Sequence, residues 1–167
     1  MKIAISAPPT IDVSEFAKSF AGKNKARLIA DPTRMMCEAY GFQTLYRMPG
    51  ELQHKVRLDV LRAHASDLQT SENLVFETSI FALIADWMRW FWSATPTEKW
   101  EKVVAEITPA SRRYDTIYHV TEGPQRSYDG YHWLDTRNAV EVSRLMCHLY
   151  EDLGVTDKVK IERIAPA

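Results

Sequence analysis

The residues best able to do chemistry in this chain lie where a β-forming run gives way to a helical one. The segment from Ala7 to Ser14, Ala-Pro-Pro-Thr-Ile-Asp-Val-Ser, follows the run from Lys2 to Ser6 and precedes an apolar-periodic stretch. That is the placement of a loop of the form G-x-x-x-x-G-K-S/T, whose backbone N–H groups cradle phosphates, whose Lys neutralises them and whose hydroxyl holds Mg²⁺. In register, Ala7 and Asp12 take the glycine positions, Val13 takes the Lys position, and Ser14 keeps its type. Asp12 sets a carboxylate where a phosphate would approach, and a like charge at about 5 Å costs roughly 3 kcal/mol at an effective dielectric near 20. Losing the Lys removes an attraction of similar size. Pro9 subtracts a backbone donor, and Asp12 replaces a residue whose freedom at positive φ helps shape such a nest. Two readings are open. Either Asp12 or Thr10 caps the following helix and the loop binds nothing, or Ser14 contacts Mg²⁺ or phosphate while Lys18, one turn on, or a distant arginine supplies the missing charge.

Glu77 ends the apolar run Asn73 to Phe76. A carboxylate there can act as a base toward a hydroxyl or hold Mg²⁺ through water, or it is a solvated acid near a helix N-terminus. Asp31 ends another strand and is either a helix cap or a substrate contact, with Arg34 placed to clamp an anionic substrate. Arg112, Arg113 and Arg126 flank a further strand and its loop, as lid residues over phosphates or as ordinary surface cations. Trp87, Trp90, Phe91 and Trp92 exceed what one buried helix face can use. Core packing is expected of Trp87 and Phe91, and a homodimer contact through the Trp87 to Trp92 helix is the more specific expectation for Trp90. The five histidines show no metal-ligand spacing and no serine or cysteine sits in a nucleophile elbow, so neither a zinc site nor a hydrolase triad is expected. Cys37 and Cys147 read as reduced core thiols.

The elements that must position these residues alternate. Lys2 to Ser6 reads as a strand, and Val13 to Ala21 as a helix stopped by Gly22. Arg27 to Ala30 reads as a second strand, with Asp31-Pro32-Thr33 capping a helix through Tyr40 that ends at Gly41. Gly50 to about Leu68 predicts a long amphipathic helix, with Leu52, Val56, Val60, Leu61 and His64 near one face and Lys55, Arg57, Asp59 and Arg62 opposite. Asn73 to Phe76 suits a strand buried on both faces. Ser79 to Phe91 is an apolar helix, capped by Ser79 or Thr78, and Thr97 to about Ile107 another, opened by a capping-box-like segment. Tyr114 to Val120 predicts a fourth strand, Thr121 to Gly130 a loop, Leu134 to Leu153 a last helix stopped by Gly154, and Lys158 to Ile164 an edge strand. Five strands alternating with helices imply an α/β fold, a five-stranded parallel sheet with helices on both faces.

At 167 residues, 46% hydrophobic and 26% charged, the chain is expected to form a single domain over residues 1–167. A net charge of -1, with both signs interspersed, gives no global field for nucleic acid or an anionic membrane. The opening residues form too short an apolar run for a signal peptide, and the stretch from Ile80 to Trp92 is too short and too interrupted to span a bilayer. A cytoplasmic protein is expected.

Taken together, the opening KIAIS-loop-helix, the helix pair from Arg34 to Leu68, LVFETSIFALIADW and DGYHWLDTRNAVEVSRLMCHLYEDLG resemble the small NadR-type and deoxynucleoside-kinase-like P-loop proteins, many encoded by bacteria and their phages. The resemblance is one of layout and covers nearly the whole chain; its most specific motif, the phosphate loop, is the part that has changed. It implies a P-loop nucleoside/nucleotide-kinase-like sheet, ATP as phosphate donor, Mg²⁺, and a nucleoside, nucleotide or related small acceptor. By position it implies Ala7 to Ser14 as phosphate loop, Glu77 as the acid and Arg112 or Arg126 as lid candidates, and it places Asp129-Gly130-Tyr131 and Arg137 between the lid region and the last helix. One functional expectation is a divergent phosphotransferase with Glu77 as base or metal-holding acid and Ser14 on Mg²⁺. A second is a non-catalytic kinase-like fold that binds a small ligand or a protein partner. A third is an altered cleft with different nucleotide chemistry, since an acidic loop suits a cation or a sugar hydroxyl better than a triphosphate.

Overall fold

Short runs of Ile, Val, Leu and Phe form the strands of the computed structural model, which describes residues 1–91, 93 and 95–165. The strands are β1 (Lys2–Ser6), β2 (Arg27–Ile29), β3 (Leu74–Phe76), β4 (Thr116–Glu122) and β5 (Val159–Arg163), all parallel, in the order β2-β3-β1-β4-β5. In register, Ile3 lies opposite Val75 on one side and Thr116 on the other. The central strands β1 and β3 are buried along their length, as strands covered on both faces must be. β5 is an edge strand whose side chains are partly or fully exposed.

Side chains alternate across a strand, and two cores result. Ile3 and Ile5 pack with Val75 and Val120 against Ala17 and Ala21 of α1 (Ser14–Lys23). On the opposite face Ala4, Phe76 and Ile117 meet α3 (Gly50–Gln69), α4 (Ile80–Phe91), α5 (Thr97–Ser111) and α6 (Thr136–Asp152), with Leu61, Phe81, Ile107 and Met146 among the contacts. A third cluster joins α2 (Thr33–Ala39), the 3-10 turn Leu45–Arg47 and α3 to the loop after β4, through Cys37, Leu45, Met48, Val56, Val60 and Tyr131. This cluster sets the wall of the cleft described below.

Several boundaries differ from the sequence expectation. Gly22 does not stop α1, which runs to Lys23 before the chain turns at Lys25 with φ 49°. Gly41 and Gly154 do follow helix ends, at φ 80° and 65°, where a side chain would be strained. α5 has Pro96 at its N-cap and no side-chain cap, so the capping box is not formed. β4 starts at Thr116, because Tyr114 is turned inward: its hydroxyl accepts the Ile80 N–H at 3.0 Å and lies 2.7 Å from His64 Nε2. Ser79 caps α4 through its hydroxyl, which accepts the Ala82 N–H at 3.0 Å. Cys37 is buried but Cys147 is exposed, contrary to a core position for both, and both are free. Arg57 lies on the buried side of α3 rather than opposite it. Among the described residues no helix is long and apolar enough to cross a membrane.

Candidate functional site

In parallel sheets a ligand crevice opens at the carboxyl ends of the strands where the strand order reverses, which here is β1. The loop leaving β1 holds its donors inward. The Ile11 N–H donates to Pro8 O at 3.0 Å, the Asp12 N–H to Pro124 O at 2.8 Å, and the Ser14 N–H to Asp12 Oδ1 at 3.0 Å. Pro8 and Pro9 have no N–H to offer. The Ser14 hydroxyl also donates to Asp12 Oδ1, at 2.6 Å, and these two bonds are the leading reasons that Asp12 is held below the usual carboxylate range. Val13, at the position of the Lys, is 2% exposed and belongs to the apolar cluster under α1. A phosphate arriving here would meet engaged amides, a carboxylate and an apolar side chain.

Beside the loop lies a cleft enclosing about 660 Å³ of space open to solvent. Asp31 from β2, Glu77 from β3, Asp86 from α4, and Arg126 and His132 from the loop after β4 line it. Glu77 Oε2 accepts the Asp31 N–H at 3.3 Å, tying the ends of two strands together. His132 stands between two carboxylates, with Nδ1 2.6 Å from Asp129 Oδ2 and Nε2 3.5 Å from Asp31 Oδ2. Burial opposes charge on its ring, but Asp129 and Asp31 outweigh that and raise its pKa to about 9. Burial likewise pushes Asp31 up, and His132 together with the Thr33 amide brings it down to about 2. The cluster therefore holds an imidazolium between carboxylates at neutral pH.

A second recess opens beyond Tyr131. Tyr46, Trp90, Tyr131 and Trp133 provide rings, and Gln53, Arg57 and Asp86 provide polar groups. Trp133 meets Tyr46 and Trp90 edge-on, with centroids 5.5 and 5.6 Å apart. Arg57 donates from Nε to Asp86 Oδ2 at 2.8 Å, while its Nη1 and the Tyr46 hydroxyl are buried without a hydrogen-bond partner. Buried polar atoms without partners are uncommon in folded proteins. Both belong to residues that line the recess, whose aromatic walls suit a planar ring.

The structure brings only some of the expected residues together. Ala7, Val13, Asp31, Glu77 and Arg126 line the cleft, and Arg34 lines its outer part while pairing with Glu38. Thr10 contributes its carbonyl, which accepts the Arg126 N–H at 2.8 Å. Lys18 is exposed and paired with Glu15 at 2.7 Å, so it does not replace the missing lysine. Arg112 and Arg113 precede β4 and sit at the opposite end of the sheet, donating to Leu153 O and to Leu68 O and Gln69 O; neither reaches the cleft. Asp31 accepts the Thr33 N–H at 2.8 Å, a turn that leads into α2 without being its N-cap. Among the described residues no group of three His, Cys, Asp or Glu side chains is arranged to hold a metal ion. Trp87 is fully buried and stacks on Trp100 at 5.2 Å, Trp90 is part-exposed against Trp133, and Trp92 lies outside the described residues. Sequence reasoning missed Arg57, Asp86 and His132. Arg57 and Asp86 sit about two turns along helices that face each other, and a charged residue within the apolar stretch of α4 was the available signal.

No protein-family model matches the chain, and no curated protein matches it. Among solved structures it is similar to the NadR protein in complex with NAD and AMP-PNP, with TM-score 0.69 and 11% identity over 96% of this chain and 43% of that one. It is also similar to the NadR protein in complex with NR, with TM-score 0.66 and 12% identity over 96% of this chain and 42% of that one. The chain spans about two fifths of the length of those proteins. At this identity the likeness concerns shape: the chain shares with those structures the fold of a five-stranded parallel α/β sheet with helices.

Proposed function

We propose that this protein binds a nucleoside-class ligand in the cleft of a P-loop-kinase-like fold and does not use Mg·ATP as a kinase does. The observation that carries the reading is the state of the β1 loop: the amides of Ile11, Asp12 and Ser14 are engaged within the protein, and Asp12 and Val13 stand where glycine and lysine would be. A bound triphosphate would have to break those bonds and approach a carboxylate that stays ionised across the neutral range. The residues present do not fit Mg·ATP.

A nucleoside fits what remains. Its planar ring suits the walls formed by Tyr46, Trp90, Tyr131 and Trp133, where base-aromatic stacking contributes about 1–3 kcal/mol per base. Asp86 offers an acceptor to the ring edge, and Asp31 and Glu77 offer acceptors to sugar hydroxyls. NAD, AMP-PNP and NR, the compounds named with the similar structures, are consistent with a ligand of this class.

Calorimetry against nucleosides, deoxynucleoside monophosphates, Mg·ATP and Mg·GTP tests the proposal. At least one nucleoside is expected to bind with Kd below about 1 mM, and Trp133→Ala, at an exposed position, to weaken it about tenfold. No heat is expected from either triphosphate at millimolar concentration. Micromolar binding of a triphosphate would overturn the reading and direct attention to phosphotransfer assays with Glu77→Gln.

A further inference from the structure

The segment from Gly123 to His132 has little regular structure of its own, yet it is fastened at three places to walls of the cleft. The first fastening is a backbone clasp on the β1 loop. Ile11 and Gln125 form an antiparallel bridge flanked by the Asp12 N–H to Pro124 O and the Arg126 N–H to Thr10 O, both 2.8 Å. Arg126 Nη2 adds a bond to Ile11 O at 3.3 Å. Gly123 allows this approach: a Cβ there would lie 2.8 Å from Ile11 Cγ2. The second fastening is His132, which joins Asp129 of the segment to Asp31 at the end of β2. The third is at the turn around Gly130, whose carbonyl accepts the Leu45 N–H at 3.1 Å, while the Tyr131 hydroxyl donates to Gln43 O at 2.6 Å.

We infer that residues 123–132 form a strap that covers the cleft and opens as a single unit, with the Asp31–His132–Asp129 contact as its catch. Both of its ends run into packed elements, β4 and α6; between them the span is held by these polar fastenings around the cleft rim and, near its end, by Tyr131 in the apolar cluster with Leu45 and Val60, while no residue from 124 to 129 is buried. Segments held in that way open locally, well below the cost of global unfolding. The charged groups around His132 are Asp31 just after β2, Glu77 just after β3, Arg34 on α2, and Arg126 and Asp129 on the strap itself. Both partners of the ring nitrogens are carboxylates, which only accept hydrogen bonds, so the catch joins the strap to β2 by an imidazolium with two N–H donors. The strap also supplies Arg126, Tyr131 and His132 to the cleft lining, so whatever enters is covered by it. A ligand hydroxyl or cation on Asp31 competes with His132, so that occupying the cleft loosens the catch. This last consequence rests on the nucleoside reading above; the strap itself does not.

The test needs no ligand. Amide hydrogen exchange and limited trypsin cleavage after Arg126 are followed on the full chain, on His132→Asn, and on Asp129→Asn, which removes the catch from its other side. In both variants the Asp12 and Arg126 amides are expected to lose protection together by at least tenfold, and the Arg126–Ser127 bond to be cut at least tenfold faster. Protection of β1 and β4 amides is expected to stay unchanged, which shows that the sheet is intact. Asp12 and Arg126 protection within twofold of the unmodified chain in both variants would overturn the inference, as would separate opening rates for the two amides. A strap that opens in this way while no nucleoside binds would leave the inference standing and sink the ligand reading alone.

Discussion

An imidazole between two acceptors keeps both contacts only while both nitrogens carry protons. The pKa of His132 is raised to about 9 from an ordinary 6.5, so its contribution to closing the strap is fully present below about pH 6.5 and is lost as pH rises through about 9. On the acid side Asp31 is lowered to about 2 from 3.8, so its share is present above about pH 3.8 and is lost as pH falls through about 2. Hydrogen exchange of the Arg126 amide, corrected for the intrinsic pH dependence, should show constant protection between pH 5 and 6.5 and a decline toward pH 9. His132→Asn should flatten that decline. Part of this local chemistry was legible in the sequence. Asp12 or Thr10 was expected to cap the following helix, but the N-cap is Val13 with no side-chain bond; Asp12 instead takes the amide and the hydroxyl of Ser14, the first residue of α1. His132 was not legible, because its partner Asp31 lies on the far side of the chain and no spacing rule links them. Arg57 was assigned to the solvated face of α3 because a cation usually belongs there; its burial is explained by Asp86, which arrives from α4.

Helices and strands were the most legible level, since periodicity and caps report local preferences. The errors fell where a tertiary contact overrides such a preference. Tyr114 reads as the start of a strand, but its hydroxyl is drawn to His64 on α3 and to the first amide of α4, so β4 begins two residues later. This one side chain holds three elements. Tyr114→Phe leaves the Ile80 N–H and His64 Nε2 without that partner in a fully buried site, and an unsatisfied buried group costs about 1–3 kcal/mol. Urea unfolding should therefore show a loss of about 2 kcal/mol with an unchanged m-value, and a loss below about 0.5 kcal/mol would mean that a water replaces the hydroxyl. Asp86→Ala should destabilise by a comparable amount, about 2 kcal/mol, because it leaves the buried Arg57 guanidinium without its carboxylate.

Across the molecule, five parallel strands covered on both faces followed from the alternation of elements, whereas the order β2-β3-β1-β4-β5 came from the structure. The pairing of the strap with the β1 loop was invisible for a physical reason: a backbone bridge between residues far apart leaves no side-chain pattern. It also changes what repairing the motif can do. Asp12→Gly with Val13→Lys restores the residue types of a phosphate loop, but Pro124 O still accepts the amide of residue 12 and the strap still lies across it. Calorimetry of this double variant is expected to show no Mg·ATP binding at millimolar concentration, and micromolar binding would mean that charge alone, and not the engaged backbone, excludes triphosphate.

Trp133 follows directly on the strap and lies part-exposed, edge-on to both Tyr46 and Trp90. When the strap lifts, that indole leaves its two ring neighbours for water, while the buried Trp87 stays stacked on the partly buried Trp100. The molecule thus carries its own optical reporter of opening, a shift and change of intensity in the emission of Trp133 and its ring neighbour Trp90, readable in stopped flow without any attached dye.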